Sequence, residues 1–100
     1  MIYCFDIDGT LCTKTDGDYP NARPFPERIA AVNALQDAGH VIKLFTARGS
    51  TTGIDWRAVT EEQMKEWNVR YDELILGKPE ADLYIDDRCV NAEDWLWKIE

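Results

Sequence analysis

The chain has 100 residues, 45% of them hydrophobic, with eleven basic and nineteen acidic side chains and a net charge of -8. That length holds one core and predicts a single domain over residues 1–100, and the acidic balance opposes binding to nucleic-acid backbones and anionic membrane surfaces. No apolar run reaches membrane-spanning length and no basic-then-apolar leader opens the chain, so the sequence reads as that of a soluble, cytoplasmic protein.

Residues 2–7, IYCFDI, are rich in aromatic and β-branched side chains and stop at Gly9, which predicts a buried strand ending at Asp6 and Asp8. Residues 11–26 are polar and carry Gly17, Pro20, Pro24 and Pro26, a loop or short flap. From Pro26 the pattern turns helical, with Ile29, Val32 and Leu35 recurring at threes and Gly39 placed to end the helix. Val41 to Phe45 reads as a second strand, and residues 46–49, TARG, as the turn after it. A second helix is expected from about Asp55, since Trp56, Thr60, Met64 and Trp67 recur at helical spacing. Residues 74–76 and 83–85 predict two more short strands, and residues 91–98 a short terminal helix. On such a helix Trp95 and Trp97 cannot share a face, which leaves one of them exposed as a subunit contact.

The order strand, helix, strand, helix, strand, strand implies an α/β fold, a Rossmann-like parallel sheet with right-handed crossovers and helices on its faces. Polar groups follow every strand: Asp6 and Asp8, Thr46 and Arg48, Lys78, then Asp86 and Asp87. In an open α/β sheet those ends line one edge, where ligands bind. Four carboxylates gathered there require a compensating cation. Oxygen donors without a histidine or cysteine cluster favour a hard ion, and a site completed by water and phosphate favours magnesium over calcium. Thr46 and Lys78 add a hydroxyl donor and a fixed positive charge for a phosphoryl group, and an in-line carboxylate supplies a nucleophile. Cys4, Cys12 and Cys89 are odd in number, form no CxxC and accompany a single histidine, His40, so the sequence points to reduced thiols rather than a disulfide framework or zinc site.

In these four motifs the sequence resembles the haloacid dehalogenase superfamily of phosphotransferases: Asp6-Ile7-Asp8-Gly9-Thr10, Thr46 after a strand, Lys78, and the acidic pair Asp86-Asp87, in order along the whole chain. The resemblance implies Asp6 as nucleophile and Asp8 as acid and base. It also implies magnesium held by Asp6, Asp8 through its backbone carbonyl, and Asp86, with Asp87 nearby, and a phosphate site formed by Gly9, Thr10, Thr46, Ala47, Arg48 and Lys78. Residues 46–56, TARGSTTGIDW, are similar to small phosphatases associated with capsular polysaccharide biosynthesis, which implies a sugar phosphate as substrate. Only residues 11–26 and 49–56 are available to cover the site, so the chain reads as capless, with a bulky substrate or a second copy of the chain enclosing it.

Simpler readings exist for each part. FDIDGT taken alone is as well explained by a turn. A calcium loop fails, because position 11 is Leu where a turn Gly is required and position 17 is Gly where the closing Glu is required. Arg48 is equally suited to a substrate phosphate or a structural carboxylate. Three functions remain beside the magnesium-dependent phosphomonoesterase acting through an aspartyl-phosphate. One is a non-catalytic module holding magnesium and a phospholigand, another a phosphatase of nucleic-acid ends or phosphoproteins. A phosphomutase is disfavoured by the missing cap.

Overall fold

The computed structural model describes residues 1–98; the last two positions of the expected domain, 99 and 100, lie outside the described residues. The elements run β1 (Ile2–Phe5), a single 3-10 turn (Tyr19–Asn21), α1 (Pro26–Asp37), β2 (Val41–Thr46), α2 (Arg57–Glu66) and β3 (Glu73–Leu76). The strands form one parallel sheet in the order β1-β2-β3.

Both helices end on local signals. Pro26 opens α1 at its first turn, where the missing N–H has no partner to lose. Gly39 closes it with a positive φ of 95°: the N–H of Gly39 bonds the Gln36 carbonyl and that of His40 bonds the Leu35 carbonyl. That is the paired-bond C-terminal cap. The same cap ends α2 on Asn68, φ 57°, with Asn68 N–H on Lys65 and Val69 N–H on Met64.

Register decides which side chains share a face. Phe5 lies opposite Leu44, and Leu44 opposite Leu74, so these three, with Tyr3, Ile42, Thr46 and Leu76, point one way. That face is buried against Ile29 and Val32 of α1 and Met64 of α2. Both helices lie on it because two crossovers of one hand, moving the same way along the sheet, place their helices on the same side. The other face, with Cys4, Lys43, Phe45, Glu73 and Ile75, carries no helix among the described residues; Lys43 and Glu73 pair across it at 3.9 Å.

Two expectations fail after β3. Residues 83–85 form no strand, and Leu83 and Ile85 stand 78% and 94% exposed. Three apolar residues between acidic ones have strand propensity, but a strand exists only where a neighbour supplies the ladder. Tyr84 instead lays its ring on the Lys78 ammonium, 4.2 Å from ring centre to Nζ, and its hydroxyl donates to the Pro79 carbonyl. Residues 91–98 form no helix either. One turn closes from Asn91 to Asp94 and Trp95, after which the Trp97 ring N–H turns back to the Ala92 carbonyl. Off a helix, Trp95 and Trp97 meet edge to face at 4.6 Å and both pack on Phe5, at 5.4 and 5.7 Å. Both rings are half-buried, so neither stands fully exposed as the helical reading expected.

Candidate active site

After Phe5 the chain turns sharply. The N–H groups of Thr10, Leu11 and Cys12 converge on the Ile7 carbonyl, and Gly9, at φ 82°, donates to the Cys12 carbonyl. A side chain at position 9 is strained by the positive φ, and its Cβ would also press on the Lys14 methylenes at 3.0 and 3.2 Å. This turn leaves Ile7 and Leu11 fully buried and holds Asp6 and Asp8 at the strand's end.

Asp6 is half-buried, with Lys78 Nζ at 3.8 Å from its Oδ2. Burial pushes its carboxyl above the ordinary value; the Lys78 charge and the Ile7 N–H pull it back, Asp8 raises it and Arg48 lowers it. Lys78 reaches this position because its own N–H bonds the carbonyl of Thr46, continuing from β3 onto the end of β2. Thr46 is buried, its hydroxyl accepting the N–H of Arg48 at 3.1 Å. Gly49, φ 83°, allows the next turn: any Cβ there would strike the Ile54 carbonyl oxygen.

Asp8 meets Arg48. The guanidinium Nε donates to Asp8 Oδ2 and Nη2 to Oδ1, both at 2.9 Å. Arg48 is 2% exposed, its Nη1 donates to Thr60 and Gln63, and its plane lies 4.6 Å from the Tyr19 ring centre. Beside this pair, burial and then the Asp8 charge push the Cys12 thiol up to about 12, leaving it an inert neutral group.

The edge of the sheet thus assembles Asp6, Asp8, Thr46, Arg48 and Lys78. Gly9 and Thr10 lie in the turn beside them, and Ala47 lines a small cleft with Tyr19, Gly49 and Trp56. Asp86 and Asp87 are not brought in. Both are exposed, and the Asp86 carboxyl is held below its ordinary value by Asp87 and by the Arg88 N–H. Among the described residues no group of three His, Cys, Asp or Glu side chains is disposed to hold a metal ion. With Asp86 and Asp87 apart from Asp6, the carboxylates as placed do not gather around a magnesium ion.

Tyr19, Thr60 and Gln63 were missed from the sequence. Thr60 and Gln63 are three apart and share an inward face of α2. A polar residue such as Thr60 on an otherwise apolar stripe is the one signal that a buried polar partner awaits it.

No helix among the described residues is long and apolar enough to cross a membrane, and Cys4, Cys12 and Cys89 are free thiols. No protein-family model matches the sequence, and no curated protein matches it. Solved structures do. A crystal structure of an MCSG target from Vibrio cholerae superposes with a TM-score of 0.82 at 30% identity, covering 93% of this chain and 85% of that one. D,D-heptose 1,7-bisphosphate phosphatase from B. bronchiseptica, complexed with magnesium and phosphate, gives 0.62 at 19% identity over 88% of this chain and 53% of that one. A chain of a Pnkp1/Rnl/Hen1 complex gives 0.62 at 17%, over 86% and 30%. This chain therefore belongs to one family with the Vibrio cholerae protein, and its fold is that of the haloacid dehalogenase superfamily.

Proposed function

We propose that the chain is a phosphomonoesterase working through an aspartyl-phosphate on Asp6. The observation that carries this reading is a half-buried carboxylate at the end of a parallel strand, with an ammonium 3.8 Å away and a second carboxylate, Asp8, fixed two residues on. Asp6 attacks phosphorus and the bond to the leaving oxygen breaks, that oxygen taking a proton from Asp8. Water then attacks the acyl-phosphate, gives its proton to Asp8, and releases phosphate with Asp6 free again. Lys78 balances the charge spreading over the phosphoryl oxygens. A sugar phosphate of surface polysaccharide synthesis is the proposed substrate, on the resemblance of residues 46–56 and on the sugar bisphosphate phosphatase among the structural neighbours. Magnesium enters this reading only with a rearrangement, since Asp86 or Asp87 would first have to be carried to Asp6.

The test is a screen of phosphate release across sugar phosphates, nucleotides, phosphopeptides and polynucleotide ends, with rapid-quench mass measurement on the active substrate. Covalent phosphate on Asp6, lost in Asp6→Asn, is the expected result. Phosphate binding without turnover of any substrate would leave the non-catalytic module as the function.

A further inference from the structure

We propose that Arg48 is a positioning residue that acts through Asp8, and not a ligand of the substrate phosphate; this rests on Asp8 being the proton-transfer group. A guanidinium has five N–H donors, and here each one is directed at an acceptor inside the protein. Nε and one N–H of Nη2 hold the two Asp8 oxygens, both at 2.9 Å. The second Nη2 donor faces Cys12 Sγ at 4.0 Å. The two on Nη1 go to Thr60 Oγ1 at 3.1 Å and Gln63 Oε1 at 2.6 Å. None is left for a phosphate, and the side chain is 0% exposed.

The fork fixes Asp8 from two directions. Parallel bidentate bonds set the plane of the carboxylate as well as its position, and because the Cys12 thiol donates to Oδ1 at 3.5 Å, the lone pair left free of both partners lies on Oδ2. Asp8 stays 19% exposed and exchanges its proton there. The same guanidinium ties in the flap: Tyr19 stacks on it, and Gln63, which accepts from Nη1, donates its own amide to the Tyr19 carbonyl. One buried cation thereby registers β1, β2, α2 and the flap around the proton-transfer group. Lysine, with a point charge and no fork, cannot replace it.

The experiment is a double-mutant cycle on the two half-reactions with p-nitrophenyl phosphate, whose leaving group departs without protonation. Wild type, Arg48→Lys, Asp8→Asn and the double variant are compared by rapid quench. Phosphoenzyme formation in Arg48→Lys should fall by less than about tenfold, while its hydrolysis, which needs Asp8 as base, slows by about a hundredfold. In the Asp8→Asn background the same change should alter hydrolysis by no more than about twofold, since Arg48 then has nothing to position. Equal losses in the two backgrounds, or a formation step slowed as much as hydrolysis, overturn the proposal. Where Arg48→Lys gives no cooperative melt, Gln63→Leu takes its place in the cycle; unchanged hydrolysis there also overturns it. No phosphoenzyme in the wild-type protein with any substrate refutes the phosphatase reading itself, a result distinct from either.

Discussion

Replacing Lys78 by methionine keeps the side chain's bulk and removes its charge. Nζ stands 3.8 Å from Asp6 Oδ2, the side chains 17% and 35% exposed. Two unit charges at that spacing attract by about 4 kcal/mol at an effective dielectric of about 20. Exposure and side-chain entropy reduce the net worth of such a pair in the resting protein to about 1 kcal/mol. Attack on phosphorus gathers more negative charge beside the same ammonium, so the loss at the transition state is larger, about a hundredfold to a thousandfold in kcat/KM. The pH profile changes as well. Burial already holds the Asp6 carboxyl above 3.8, and Lys78 is the largest influence opposing it. Without that charge the carboxyl rises further, and because the nucleophile must be ionised, the acid limb of kcat/KM moves to higher pH. Initial rates with an aryl phosphate measured across the acid limb follow both effects. A Lys78→Met protein within about threefold of wild type, its acid limb unmoved, would show that Lys78 does not act on the reacting centre.

Asp6→Asn should form no phosphoenzyme, because an amide cannot make the acyl-phosphate, and should also be the more stable protein at neutral pH. The Asp6 carboxyl lies above 3.8 in the folded chain, so the folded state holds more protons through that window and loses stability as pH rises across it. Melting should therefore be higher than wild type at pH 7 and level with it below about pH 3, where both states are protonated; a lower melting temperature at pH 7 contradicts the sign. Asp8→Asn should accumulate phosphoenzyme from p-nitrophenyl phosphate, seen as added mass on Asp6, and equal absence of label in both aspartate variants would show the two roles to be inseparable. Since Asp86 is exposed and not grouped with Asp6, magnesium alone should leave melting unchanged. Magnesium with phosphate should raise it in wild type but not in Asp86→Asn, and an equal rise in both would remove Asp86 from the metal site. Gly49→Ala should cost about 1–2 kcal/mol for the left-handed backbone alone, more with the collision at Ile54, and unaltered chemical denaturation would show that the turn relaxes freely.

Local pattern carried much of this protein. Pro26 and Gly39 bracket α1 because the groups they satisfy lie within one turn of them, and β1, β2 and β3 are legible because their β-branched, aromatic and aliphatic residues suit a pleated surface buried on one face. The polar residues after each strand marked the sheet edge for the same reason: topology alone sends the ends of parallel strands to one side. Contacts between distant residues were decided only by the tertiary structure. Asp8 and Arg48 are 40 positions apart, and nothing near either one distinguishes a phosphate ligand from a carboxylate partner; the choice falls when α2 brings Thr60 and Gln63 to the remaining donors. Residues 83–85 have the composition of a strand, but a ladder needs an edge in register, which composition does not encode. Trp95 and Trp97 alternate in a way no helix can use, and they come together because the chain leaves Asn91 by a single turn and Phe5 offers one apolar surface to both rings.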